Sequence, residues 1–290
     1  MERKTFGLSD VLVPEIGLGT HQYRAGPGPI RAAIDHGATF IDTAEIYGTE
    51  PIVAEAIRGR RQEIFLSTKA APRNFRRRDL ISAAENSLKR LGTDYIDLYQ
   101  LHWPNETVPI AETMAAMEEL VDAGKIRFIG VSNFDSWDLE RAQAASGRHK
   151  IASNQVPYSL IERTVESGPL NYCRQHNITV IAYSPLGTIF ENMKAIDQNG
   201  VLTRVAQSTG KTEAQVALNW VISSEQVVTI AKASTEEHAI ENCSASGWRL
   251  SRPQYDLLCG IPCKKLCRGC FRATLGRYRR YGNQLLGRLL

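Results

Sequence analysis

"IFLSTKAAPRNFRRRDLISAAENSLKRLGTDYIDLYQLH", residues 64–102, holds two kinds of order. Its ends, "IFLSTKA" and "YIDLYQLH", are short runs of β-branched, aromatic and aliphatic residues that read as strands. Between them "DLISAAENSLKRLG" spaces its apolar residues at helical period and closes on Gly92, well placed as a C-terminal cap. A strand that reaches the next strand through a helix is the unit of a parallel sheet. Working outward, further strands read at "EIGLGT" (15–20), "TFIDTA" (39–44), "IRFIGVSN" (126–133), "ASNQVPYS" (152–159), "TVIAYSP" (179–185) and "VVTIAKA" (227–233). Further helices read at "IAETMAAMEELVDAG" (110–124), which ends on Gly124, and at "TEAQVALNWVIS" (212–223), where Thr212 and Gln215 have the spacing of a capping box. Eight strand–helix units in about 250 residues predict an α/β fold, a closed (β/α)8 TIM barrel whose strands are buried on both faces. A doubly wound sheet is the alternative, but it calls for G-x-G-x-x-G, and "GLGTHQ" (17–22) lacks the third glycine.

The chain of 290 residues is 43% apolar and can bury a large core. It contains no apolar stretch long enough to span a bilayer, and "MERKTFGLSD" lacks the apolar centre of a signal peptide, so a cytoplasmic protein without a membrane partner is expected. The net charge of +4 is unevenly distributed: residues 259–290 carry eight Lys or Arg and no acid, leaving residues 1–258 with 27 basic and 31 acidic side chains. A mildly acidic body excludes a broad nucleic-acid surface, and no nucleic-acid partner is expected. Four of the six cysteines (Cys259, Cys263, Cys267, Cys270) fall in the same tail, whereas Cys173 and Cys243 are isolated in the body. Spacings of four, four and three fit a helical stripe as well as a metal site. No His or acid completes a familiar motif, so neither a metal nor a disulfide framework is expected. The domain reading is a barrel over 1–258 and a basic, cysteine-containing tail over 259–290, in a chain expected to be monomeric.

In such a barrel the chemistry lies at the C-terminal ends of the strands. The polar residues there are Asp42 and Tyr47 after the second strand, Lys69 at the end of the third, and His102 at the end of the fourth. Ser132 and Asn133 end the fifth, Gln155 the sixth, Tyr183 and Ser184 the seventh, and Lys232 the eighth. Any one alone reads as packing, a turn residue or a solvated charge. An Asp, a Tyr, a Lys and a His at three successive strand ends form one ionisable cluster, a candidate active site. A free phenol has a pKa of about 10, too high for proton exchange near neutrality. An ammonium about 4 Å away stabilises the phenolate by roughly 4 kcal/mol at an effective dielectric near 20, so Lys69 is expected to lower the pKa of Tyr47. Asp42 would keep that Lys protonated and aimed, and His102 would bond a carbonyl oxygen or relay its proton. Reduction of such a carbonyl also needs a hydride, which no side chain supplies, so a nicotinamide cofactor is required.

"DTAEIYG", "STKA", "LYQLHWP", "GVSNF", "NQVPYS", "AYSPLG" and "AKASTEEHAIEN" occur in the order, and very nearly at the spacings, of the aldo-keto reductases, which residues 5–250 resemble. The resemblance implies an NADPH-dependent oxidoreductase that reduces aldehydes and ketones to alcohols. It makes Tyr47 the proton donor, supported by Asp42, Lys69 and His102. Ser132, Asn133 and Gln155 would hold the nicotinamide carboxamide and Tyr183 would stack on its ring. Ser184, Leu186, Lys232, Ala233, Ser234, His238, Glu241 and Asn242 would line the rest of the cofactor site. The last six belong to the stretch that grips the phosphate on the adenosine ribose. His238 stands where the family commonly has Arg, which narrows the preference for NADPH and leaves NADH a weaker second cofactor. In the first loop His21 stands where many members have Trp and would line the substrate pocket. Trp103 is its one clear aromatic wall, since "KAAPRN" leaves only a short segment after the third strand. Small polar aldehydes or sugars fit better than steroids. Two other readings remain: an aldolase or isomerase using Lys69 as a Schiff base, and a non-catalytic nicotinamide-binding subunit that senses redox state.

Overall fold

A Cβ atom on Gly17 would lie 2.5 Å from the carbonyl oxygen of Phe40, which is why "GLGT" serves as a strand pressed against its neighbour rather than as a phosphate turn. The computed structural model describes residues 1–187 and 196–263. Eight strands alternate with helices: β3 (Ile16–Gly19), β4 (Phe40–Asp42), β5 (Phe65–Ala70), β6 (Ile96–Leu101), β7 (Ile126–Ser132), β8 (Ile151–Pro157), β9 (Thr179–Tyr183) and β10 (Val227–Ala231). All pair in parallel in chain order, and β10 pairs with both β9 and β3, so the sheet closes on itself. The expected (β/α)8 barrel is therefore the fold, and the open doubly wound sheet is not.

The outer layer consists of α1 (Gly28–Asp35), α2 (Glu50–Ala56), α3 (Arg77–Leu91), α4 (Ile110–Asp122), α5 (Ser136–Ala145), α6 (Pro169–Gln175), α7 (Val201–Thr209), α8 (Glu213–Ile222), α9 (Glu236–Cys243) and α10 (Arg252–Cys259). Their ends follow the local chemistry. Gly92 closes α3 in the left-handed region (φ 63°), and Gly124, just past α4, does the same (φ 66°). The capping box at α8 forms both of its bonds: the Thr212 side chain accepts from the Gln215 backbone N–H, and Gln215 Oε1 accepts from that of Thr212.

The barrel interior has two layers. Its floor is apolar, built from Phe40, Phe65, Leu98, Ile181 and Val228, and it is sealed from below by an N-terminal hairpin that the sequence reading did not anticipate. That hairpin pairs β1 (Arg3–Thr5) with β2 (Leu12–Pro14) and drives Phe6 and Val13 into the floor. The Phe6 ring sits 4.8 Å from that of Phe65 and 5.4 Å from that of Phe128, both edge-on. Above the floor the interior turns polar at Asp42, Ser67, Lys69, Gln100 and Gln155, all buried.

At the C-terminal side, α10 runs through Cys259. Buried Arg163 donates to the carbonyls of Leu258 and Cys259, and Ile261 packs into the main core. The first residues of the basic stretch thus rest on the body, while Cys267 and Cys270 lie outside the described residues. Among the described residues no helix is long and apolar enough to cross a membrane. Because Phe6 is fully buried against other rings, Phe6→Ala is expected to cost about 3–5 kcal/mol of stability in urea unfolding while leaving the opposite rim intact, so that NADPH affinity is retained. A loss below about 1 kcal/mol would mean that the hairpin is not a plug.

Candidate active site

The expected quartet converges above the polar layer. Lys69, at the β5 end, is wholly buried and donates to Asp42 Oδ1 at 2.5 Å and to the Thr43 carbonyl at 2.8 Å. Asp42, the last residue of β4, is buried too, and its other oxygen accepts from Ser67 Oγ (2.8 Å), Gln155 Nε2 (2.9 Å) and Gln100 Nε2 (3.2 Å). Tyr47 ends a short 3-10 turn (Glu45–Tyr47) followed by Gly48 in the left-handed region. Its hydroxyl lies 3.2 Å from His102 Nε2, and Lys69 Nζ sits 5.1 Å from its ring centroid. The His21 ring packs on Tyr47 at 4.9 Å, and Trp103 stacks flat on His102 at 3.8 Å.

Electrostatics here correct one expectation. The Tyr47 phenol is held well above its ordinary pKa, first by burial and second by the Asp42 carboxylate. Lys69, bonded to Asp42, does not lower it in the free protein, where burial and the Asp42 carboxylate set the direction of the shift. Burial also pushes Lys69 itself downward, against the opposing pull of Asp42. His102 is pushed well below the usual imidazole value by burial, then by Lys69 and His21, so it is neutral. Its Nδ1 is buried with no partner among the described residues. A stranded N–H there would cost more than a stranded lone pair, which assigns the proton to Nε2 and makes His102 the donor to the Tyr47 oxygen. The Tyr47 hydrogen is then free to point at a ligand.

Beside the quartet, and bonded to it, lie the residues expected to hold a carboxamide. Asn133 (φ 64°) donates to the His102 carbonyl and to Ser132 Oγ, both at 3.0 Å, and accepts from the Tyr183 hydroxyl at 3.0 Å. Ser132 Oγ donates to the Gln155 carbonyl at 2.9 Å. Gln155 has its Nε2 on Asp42, so the nitrogen of its amide is turned inward. Ser184 is exposed and Leu186 half-buried just past β9. Farther along the rim, Lys232, Ser234 and His238 are exposed around the N-terminus of α9, where the Thr235 side chain caps the His238 N–H. Not all of that stretch faces outward: Ala233 is in the core, buried Asn242 turns back to the Lys232 carbonyl at 3.4 Å, and Glu241 is half-buried. The charge of Lys232 is felt at the first loop: burial, Lys69 and then Lys232 push the His21 imidazole down to about 4.

Sequence reasoning missed Ser67, Gln100 and Glu45. A signal was present for the first two, because they precede Lys69 and His102 by two residues and so share the inward face of β5 and β6. Glu45 carried none. Its carboxylate accepts from the Ala71 N–H at 2.5 Å and from Asn74 Nδ2 at 2.9 Å, tying the Tyr47 loop to the loop beyond Lys69.

A buried ion pair beneath a neutral phenol, beside a strip of amides, hydroxyls and an aromatic ring leading to an exposed Lys at a helix N-terminus, fits a molecule with a carboxamide at one end and phosphate at the other. The Aldo/keto reductase family model matches residues 20–261. Methylglyoxal reductase YeaE of Escherichia coli is 39% identical over 269 residues, spanning 89% of this chain and 94% of that protein. Glyoxal reductase of Bacillus subtilis is 35% identical, spanning 85% and 88%. A crystal structure of an aldo-keto reductase from Klebsiella pneumoniae in complex with NADPH superposes with a TM-score of 0.83 at 40% identity, covering 92% of this chain and 98% of that one. The chain belongs to the aldo/keto reductase family and is an NADP-dependent carbonyl reductase.

The depressed pKa of His102 has a stability consequence. Below about pH 6.5 the unfolded chain takes up a proton at this position that the native protein does not, so native stability falls on acidification. The urea midpoint of wild type is expected to drop between about pH 7.5 and about pH 5.5, and His102→Asn should flatten that dependence. An unaltered slope in the variant would assign the titration to another group.

Proposed function

We propose that Tyr47 delivers the proton, and that Asp42, Lys69 and His102 hold it ready and stabilise the charge it leaves behind. The observation that carries this reading is the Tyr47–His102 contact of 3.2 Å over the buried Lys69–Asp42 pair. A resting phenol with a raised pKa is fully protonated at neutral pH, as a proton donor must be. When its hydrogen moves to a carbonyl oxygen, the phenolate oxygen keeps the His102 Nε2–H as a bond donor and has the Lys69 ammonium near its ring. Both interactions strengthen as charge develops, so they favour the transition state over the ground state.

NADPH, when bound, supplies hydride to the carbonyl carbon. Ser132, Asn133 and Gln155 are the residues that would hold its carboxamide, with Tyr183 against the ring. Ser184 and Leu186 would follow along the rim. Lys232, Ser234 and His238 would meet the ribose phosphate at the start of α9, with Ala233, Glu241 and Asn242 shaping the stretch that presents them.

For substrate, small 2-oxoaldehydes suit the pocket best. Trp103 Nε1–H is buried with no partner among the described residues and adjoins His102, so it offers a donor for a second oxygen beside the reacting carbonyl. His21 makes the facing wall polar rather than indole-like. Methylglyoxal reductase and glyoxal reductase among the relatives agree with this choice. A Schiff base at Lys69 is disfavoured, because its nitrogen is wholly buried under Tyr47 and bonded to Asp42 and Thr43.

Oxidation of NADPH with methylglyoxal, followed by absorbance, tests the reading. Tyr47→Phe is expected to cut kcat by roughly 100-fold or more with NADPH affinity preserved, since only the proton donor is lost. Turnover near wild type in that variant would sink the assignment. His238→Arg is expected to raise the preference for NADPH over NADH by roughly tenfold, about 1.4 kcal/mol, by adding a guanidinium fork at the phosphate. Dissociation constants for both cofactors measure it, and an unchanged ratio would make His238 a bystander.

A further inference from the structure

Gln100 is a buried amide in the barrel interior whose two ends are treated differently. Its Nε2 donates to Asp42 Oδ2 at 3.2 Å and to Ser67 Oγ at 2.8 Å, and Ser67 Oγ donates in turn to the same Asp42 oxygen at 2.8 Å. Its Oε1 is buried and has no partner among the described residues. An unpaired buried carbonyl is costly, and an aliphatic side chain of similar size would fill the position without that cost. Gly130 pairs with Gln100 across β6 and β7, and a Cβ there would lie 2.8 Å from both Gln100 Cγ and Leu98 Cδ1 and 2.6 Å from Ser153 Oγ, so the side chain at position 100 is closely packed. The barrel thus leaves an oxygen on β6 without a bond while keeping an N–H on Asp42. Such local losses are expected where a group serves function rather than packing.

We propose that Gln100, with Ser67, is a positioning residue that sets how strongly Asp42 holds the Lys69 ammonium, and through it the acidity of Tyr47 during turnover. The inference rests on the assignment of Tyr47 as proton donor. Neutral donors stabilise the charged carboxylate and disperse its charge. With Gln155 and Ser67 they occupy Oδ2 and leave Oδ1 to Lys69. Removing the Gln100 N–H makes the carboxylate more basic, so it draws the shared proton from Lys69 more strongly, and less positive field reaches the developing phenolate. The groups that face this pair are Tyr47 on its loop, His102 beyond β6, His21 on the first loop and Glu50 on α2. None of them is altered by a substitution at Gln100.

Gln100→Met removes both N–H groups at nearly constant volume. The test compares its pH profiles with those of wild type for carbonyl reduction with NADPH and for alcohol oxidation with NADP+. Both use the titration of Tyr47, so the alkaline fall of the first and the rise of the second should move to higher pH by roughly half a unit or more, with kcat reduced several-fold near neutrality. The dissociation constant of NADPH, read by fluorescence, should be unchanged, and a cooperative thermal transition verifies that the variant is folded. Ser67→Ala, which takes a different donor from the same oxygen, should displace the profiles in the same direction and keeps the test open if Gln100→Met does not fold. Profiles that coincide with wild type in the folded variants overturn the proposal, whatever the midpoint does. A wild type that oxidises no NADPH with any carbonyl would instead overturn the functional reading itself, and is distinguishable on that ground.

Discussion

The Asp42–Lys69 ion pair is the constraint to which the rest of the interior conforms. Both charges are essentially inaccessible to water, and moving an ion out of water carries an effective penalty of several kcal/mol even after relaxation. Coulomb attraction across 2.5 Å does not suffice by itself, so the barrel surrounds the pair with fixed dipoles: the Thr43 carbonyl on the ammonium, and Ser67, Gln100 and Gln155 on the carboxylate. These come from β5, β6 and β8 and the loop after β4, which is possible because a closed barrel points alternate residues of every strand at one axis. An open sheet would not have brought them together.

Burial, aided by the Asp42 carboxylate, leaves Tyr47 neutral at rest. A phenol acidified in the free protein would be a phenolate for part of the time and unable to donate. Instead burial raises its pKa, and in the role proposed for Tyr47 the Lys69 ammonium and the His102 Nε2–H would act as negative charge builds on its oxygen. The same burial keeps His102 uncharged, so it does not compete with Lys69 as a cation.

Precision in such a site depends on rigid support. Below, the apolar floor and the Phe6 plug fix the strands. Above, side chains lace adjacent loops: Glu45 joins the Tyr47 loop to Ala71 and Asn74, and Asn105 joins the loop after His102 to the Pro72 carbonyl. Each of the three loops that carry or flank the quartet is therefore bonded to its neighbour, which limits drift of the phenol relative to the ammonium.

Much of this was legible in the chain itself. Alternation of apolar runs with helical periods, together with the caps at Gly92, Gly124 and Thr212, determined the eight strand–helix units, because period and capping are local chemistry. The polar residues ending those strands identified the quartet, and their spacing within known motifs identified the family. Three things were not legible. The N-terminal hairpin is too short to show a period, and what makes it a plug is the ring packing of Phe6 on Phe65, residues 59 apart. Strand period placed Gln100 and Ser67 on the inward face with Lys69 and His102, but only closure of the barrel aimed them at Asp42 on β4. The sign of the pKa shift at Tyr47 was misread for the same reason: proximity to Lys69 was inferred along the chain, whereas burial and the pairing of Lys69 with Asp42 are properties of the assembled interior. Local periodicity determines which elements form, but the net field at one atom sums over groups that only tertiary structure brings within a few ångströms.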